Sequence, residues 1–170
     1  MQIAQTRAPA DVDAAAQIWA EATAARDGED EVAELADSRP IIQAVLDRSP
    51  ESMLFLARLS NGLPLAFAAV EPGRDQDRKV AELSYIGVSP HLFGHGLARE
   101  LLTEIRSLLT ARGYDRAELS VYTDNHHAIR VYEHLGWRPF GDPTPHVRTR
   151  KPEQRYALEL ADPGDPELIT

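Results

Sequence analysis

The stretch Leu83–Leu102, LSYIGVSPHLFGHGLARELL, constrains this chain more than any other. An apolar strand runs into a proline-marked turn, Gly94 and Gly96 follow, and an amphipathic helix begins directly behind them. Glycines allow close approach of the loop backbone to a ligand. The first turn of the helix offers N–H groups without intrahelical partners, at the positive end of the dipole. Such a place suits an anion, and phosphate in particular. Behind it, Leu97, Leu101, Leu102, Ile105, Leu108 and Leu109 recur at helical spacing until Gly113, a typical stop, so one helix face packs on a sheet.

Two familiar phosphate loops do not fit. The dinucleotide fingerprint requires a third glycine where Arg99 stands, and the nucleotide-hydrolase loop requires a Gly-Lys-Ser/Thr ending that is absent. A Gly-x-Gly loop alone serves any tight strand-to-helix connection. Val88, Pro90, Gly94, Gly96 and Ala98 nevertheless match a longer pattern: a Val-x-Pro strand exit followed by Arg/Gln-x-x-Gly-x-Gly/Ala. A second block lies one helix and one strand downstream. Residues Asn125–Trp137, NHHAIRVYEHLGW, follow Asn-x-x-Ala-x-x-x-Tyr-x-x-x-Gly-Phe with tryptophan in the aromatic place. In this order and spacing the two blocks resemble the acetyl-coenzyme A dependent N-acetyltransferases of the GNAT superfamily.

The resemblance covers about Lys79–Gly141. It implies an α/β fold of GNAT type, with a mixed, mostly antiparallel central sheet of six to seven strands flanked by helices. The residue pattern agrees. Ile3–Arg7 alternates as a first strand, Asp11 is expected to cap a helix carrying Val12, Ala15, Ala16, Ile18 and Trp19, and a second helical pattern carries Ile41, Ile42, Val45 and Leu46 to Ser49-Pro50. Met53–Leu59 and Leu65–Val70 form a hairpin around Ser60-Asn61-Gly62, and Val80–Val88 is the fourth strand. Ala117–Tyr122 is the fifth strand, Asn125–Leu135 a helix, Trp137–Gly141 begins the sixth strand, and Tyr156, Leu158 and Leu160 alternate in the seventh. Between these last two, Asp142–Gln154 reads as a loop with the cations Arg148, Arg150 and Lys151.

The resemblance also assigns a chemistry. Family members bind the pantetheine arm beside the splayed end of the fourth strand, so the main chain of Ile86, Gly87 and Val88 is expected to pair with acetyl-CoA. The Ile86 N–H would polarise the thioester oxygen as oxyanion-hole donors do. The pyrophosphate would lie on the N–H groups of the loop from Leu92 through Phe93, Gly94, His95, Gly96 and Leu97 to Ala98. His91 stands where the family has Arg or Gln, and Phe93 replaces another frequent Arg or Gln, so coenzyme affinity is expected to be altered. An imidazole with an ordinary pKa of about 6.5 keeps a donor that is charged only part of the time. The plainer reading of His91 and His95 is polar loop surface.

Tyr132 matches the family tyrosine that protonates the leaving thiolate; a phenol with an ordinary pKa of about 10 is protonated at neutral pH and can donate. Asn125 matches the cofactor-contacting asparagine, with a helix N-cap as its structural alternative. Several family members place a general base where Glu82 stands, at the start of the fourth strand. There it shares a face with Ser84, Ile86 and Val88, and partial burial would raise its pKa. Glu118 is the reserve base. His126, His127 and His134 lack the spacing of a metal site, and no metal is expected. His146, Arg148, Arg150 and Lys151 contact either the acceptor or a coenzyme phosphate, or are solvated.

Composition narrows the rest. A chain of 170 residues, 43% hydrophobic, suits one domain, expected over residues 1–161 with a flexible tail at 162–170. The absence of cysteine excludes disulfides and an acetyl-cysteine intermediate, which implies direct attack by the amine. The start lacks a signal pattern and no apolar run reaches membrane-span length, so a cytoplasmic protein without membrane partner is expected. A net charge of −9 argues against nucleic-acid binding and accords with a small cationic amine as substrate. The acidic run Asp27–Glu34 would then be a pocket lip or a solvated loop. Family members often dimerise, so a homodimer is among the expected states. Two rivals stay open: a non-catalytic acyl-CoA binding or sensing module, and an enzyme using another donor such as succinyl-CoA.

Overall fold

Among the described residues, short apolar runs bounded by turn residues become seven strands, and the longer stretches of helical period become four helices. The computed structural model describes residues 1–75 and 78–160; the expected tail, 162–170, lies outside the described residues. The elements are β1 (Gln2–Thr6), α1 (Pro9–Asp27), α2 (Leu35–Asp47), β2 (Met53–Arg58), β3 (Pro64–Pro72), β4 (Val80–Val88), α3 (Leu97–Ala111), β5 (Arg116–Tyr122), α4 (His126–His134), β6 (Arg138–Pro145) and β7 (Pro152–Glu159). The α/β class and strand number agree with the expectation. Two compact units emerge: Met1–Pro72 with Glu82–Ile105, and Gly73–Ala81 with the chain from Arg106 onward.

In the first unit the strand order is β1-β2-β3-β4. The pairs β1–β2 and β2–β3 are antiparallel, with Thr6 opposite Leu54 and Phe55 opposite Ala68. The stripe of α1 (Val12, Ala15, Ala16, Ile18) and that of α2 (Ile42, Val45, Leu46) meet alternate residues of β2 (Leu54, Leu56) and β3 (Phe67, Ala69). Phe55, Ala57, Ala66 and Ala68, on the opposite face of those strands, are buried too. Both faces of the central strands are therefore covered, and each fully buried Leu, Ile or Phe contributes about 1.5–3 kcal/mol.

The start of the first helix differs from expectation. α1 opens with Pro9, and its N-cap is Ala8, whose N–H donates to the Thr6 hydroxyl at 3.1 Å. Proline fits this place because its fixed φ is already helical and it has no N–H to leave unpaired. Asp11 therefore lies inside the first turn rather than capping it, and accepts a 2.6 Å bond from the Thr6 hydroxyl and one from the Arg58 guanidinium. These partners hold its carboxyl below the usual range, the Thr6 bond contributing most and desolvation opposing it. α2 begins six residues before its apolar stripe, at Leu35, and carries Pro40 inside it. The chain that leaves α2 is gripped by Arg7, whose guanidinium donates to the carbonyls of Leu46, Ser49, Pro50 and Ser52 at 2.6–3.3 Å.

In the second unit the start of β4 is followed by β5, β7 and β6. The Asp115 N–H donates to the Lys79 carbonyl at 2.8 Å. β7 pairs antiparallel with both neighbours, Leu119 facing Tyr156 and Pro139 facing Tyr156 from the other side. β6 lies on the edge, where Pro139, Pro143 and Pro145 remove no ladder bond that a central strand would need. The expected loop Asp142–Gln154 is mostly strand, leaving His146–Lys151 as the turn, closed by His146 N–H to Lys151 carbonyl at 2.8 Å. Among the described residues no helix is long and apolar enough to cross a membrane.

Candidate active site

The site residues are set first by β4. Leu83 and Gly87 are buried on one face, where a Cβ at Gly87 would stand 2.5 Å from Phe67 Cε1 and 3.4 Å from Ile18 Cγ2. Tyr85, between them, meets Trp19 edge-on at 6.2 Å. That face belongs to α1. Glu82, Ser84, Ile86 and Val88 project to the other face and are part-buried, as alternation implied. The Ser89 N–H donates to the Leu65 carbonyl of β3 at 2.9 Å. With a period of two, the N–H groups of Ile86 and Val88 are aimed away from β3.

The loop after β4 is a 3-10 turn, Pro90–Leu92, that uses part of its own backbone. The N–H groups of Leu92, Phe93 and His95 donate to the carbonyls of Ser89, Pro90 and Leu92 at 2.9, 3.2 and 3.3 Å. Gly94 and Gly96 take φ of 82° and 77°, and nothing lies within 4 Å of a Cβ at either. The helix ladder of α3 begins with the Glu100 N–H on the Gly96 carbonyl at 3.1 Å. Among the described residues, the N–H groups of Gly94, Gly96, Leu97 and Ala98 have no protein acceptor. Of the run Leu92–Ala98, these four are the donors left for an anion. His91, Phe93 and His95 are exposed around them, Phe93 to 49%.

Asn125 and Tyr132 belong to the second unit. Asn125 is the N-cap of α4, its Oδ1 accepting the Ala128 N–H at 3.3 Å. The Tyr132 ring packs against Trp137 (centroids 6.0 Å) and Tyr156 (6.5 Å). Its hydroxyl has no hydrogen-bond partner among the described residues. Although the side chain is part-buried by area, its depth desolvates the phenolate and pushes the pKa up to about 12. On the same helix, Glu133 Oε1 accepts the Tyr156 hydroxyl at 3.1 Å. Nothing in the spacing of residues 132–156 signals this contact, which exists only because β7 is inserted between β5 and β6.

The reserve base is occupied. Glu118 accepts from Arg116 and from Arg155, each at 2.8 Å, so its carboxylate is held by two guanidiniums. Among the described residues no three His, Asp or Glu are grouped to hold a metal ion. In the turn, His146 Nδ1 accepts the N–H groups of Arg148 and Thr149 at 3.2 Å.

The β4 exit, the twin-glycine turn with N–H groups left without protein acceptors, and the helix start together form a backbone cradle suited to an anion. The chain belongs to the acetyltransferase (GNAT) family, whose model matches residues 13–137. A mycothiol acetyltransferase of Beutenbergia cavernae is 41% identical over 63 residues, 37% of this chain and 21% of that relative, so the chain matches only about a fifth of the relative's length. Two of the solved structures that share the fold illustrate it. One is the ribosomal-protein-S18-alanine N-acetyltransferase of Escherichia coli (TM-score 0.73, 23% identity, 97% of each chain). The other is yncA of Salmonella typhimurium, solved with its cofactor acetyl-CoA (TM-score 0.70, 20% identity, 99% of this chain and 98% of that one).

Proposed function

We propose that the protein transfers the acetyl group of acetyl-CoA to a primary amine, by direct attack in a ternary complex, and that the acceptor is a small molecule. The observation that carries this reading is the set of N–H groups at Gly94, Gly96, Leu97 and Ala98 without protein acceptors, beside two glycines with open space in front of them. That cradle fits a pyrophosphate, because backbone donors and the positive helix end are complementary to its charge.

Bound acetyl-CoA supplies a thioester already activated for acyl transfer. The main chain of Ile86, Gly87 and Val88 orients the pantetheine, and the Ile86 N–H donates to the carbonyl oxygen, where negative charge develops. The Glu82 carboxylate accepts the proton that the substrate ammonium must lose before its nitrogen can attack, directly or through water. Tyr132 Oη holds the proton that the departing sulfur takes, and its raised pKa keeps it protonated at working pH. Asn125 helps hold the coenzyme while capping α4. A chain without cysteine has no thiol on which to carry the acetyl group, which supports direct transfer.

The test is calorimetric titration with coenzyme A and acetyl-CoA, followed by thiol release over a panel of small amines and peptides. Micromolar binding that G94V and G96V abolish, with turnover on small amines, is the expected result. A folded protein that binds neither ligand would overturn it.

A further inference from the structure

Tyr132 is held on a short helix, Ala128 being bound by the Asn125 cap at one end and Glu133 at the other. What ties the second end is a residue from a distant strand. Tyr156 on β7 is 4% exposed, its ring lies 6.5 Å from that of Tyr132, and its hydroxyl donates to Glu133 Oε1, the residue next to Tyr132. Trp137, 2% exposed, has its ring 6.0 Å from that of Tyr132, and its backbone N–H donates to the Tyr132 carbonyl at 3.1 Å. Tyr132 therefore has packing on its ring and a bond on its carbonyl, while its hydroxyl is left without a protein partner.

We propose that Tyr156 is a positioning residue for Tyr132: its ring and its bond to Glu133 hold the last turn of α4 on β7, fixing the direction in which the Tyr132 hydroxyl points. This rests on the reading of Tyr132 as proton donor. A donor must stand within hydrogen-bond reach of the atom it serves, so a loose helix turn costs rate rather than coenzyme affinity. Glu133 enters as the acceptor of the tether and touches no reacting atom.

The test is a double-mutant cycle on acetyl transfer to the best amine of the panel, with KM for acetyl-CoA measured throughout. Tyr156→Phe keeps the ring and removes the tether; it should lower kcat about 5- to 10-fold with KM unchanged. Glu133→Ala should match it, and Glu133→Gln, which keeps an acceptor oxygen, should retain most of the rate. In a Tyr132→Phe background, Tyr156→Phe should cause no further loss. A purely structural role would multiply the two losses, and that outcome, or a full-rate Tyr156→Phe, overturns the positioning role while leaving Tyr132 as donor. A full-rate Tyr132→Phe removes the donor reading and the positioning role together. NMR of ring-labelled tyrosine gives an activity-independent check: the Tyr132 ring should flip slowly in the parent protein and fast in Tyr156→Phe, and identical flip rates overturn the proposal.

Discussion

A Cβ on Gly87 would stand 2.5 Å from Cε1 of Phe67, whose ring is wholly buried and has no room to retreat. The close approach of β4 to the core between β3 and α1 thus requires glycine at this position, independently of any ligand. Gly87→Ala should destabilise the protein by about 1–3 kcal/mol, the usual cost of overpacking. Combining it with Phe67→Leu should cost less than the two single changes added together. Urea unfolding of the four proteins in the cycle checks this.

Gly94 presents the opposite case, with φ of 82° and nothing within 4 Å of a Cβ. Gly94→Ala should cost about 1 kcal/mol of stability from backbone conformation alone. Its effect on coenzyme A binding should be larger, tenfold or more in Kd, because the methyl group would occupy the face the ligand approaches. Calorimetry beside thermal unfolding separates the two effects.

Asn125 caps α4 through a 3.3 Å bond to the Ala128 N–H. Asn125→Ala should lower stability by about 1 kcal/mol, and Asn125→Asp should restore most of it by offering the same oxygen. Coenzyme binding that stays weak in the stable aspartate variant would show the contact role of the amide directly.

Asp11 has its carboxyl held below the usual range, by the Thr6 hydroxyl first and the Arg58 guanidinium after it. A lowered folded-state pKa adds stability that is present above the unfolded value of about 3.9 and is lost as pH falls through the folded one. Asp11→Asn should therefore flatten the decline in stability below about pH 4. Unfolding curves from pH 6 to pH 2 measure the slope.

Tyr132 has the reverse sign. Its phenol is pushed up to about 12, so the folded state holds a proton that the unfolded state releases near pH 10. That contribution is complete below about pH 10 and is lost as pH rises toward 12, so alkaline unfolding should be less steep in Tyr132→Phe. Ultraviolet difference titration should find Tyr132 missing from the ordinary transition near pH 10, with Tyr156 displaced upward as well by its burial and its bond to Glu133.

By itself the sequence determined the elements that depend on near neighbours: the strand of alternating residues from Glu82 to Val88, the two glycines before α3, the N-cap at Asn125 and the stop at Gly113. Each is a local conformational need, expressed in residues a turn or less apart, and periodicity or a special φ makes it legible. At the start of α1 two local rules compete, and the proline at the first helical position prevails over the aspartate behind it. What only the tertiary structure decided joins residues that are distant along the chain. Phe67 makes glycine necessary at position 87, Arg155 reaches Glu118 across 37 residues and pairs with its carboxylate, and Tyr156 reaches Glu133 across 23. Such contacts follow from strand order and register, and above all from β7 pairing between β5 and β6. No short-range pattern in the residues encodes that order, because its energy comes from packing the assembled sheet.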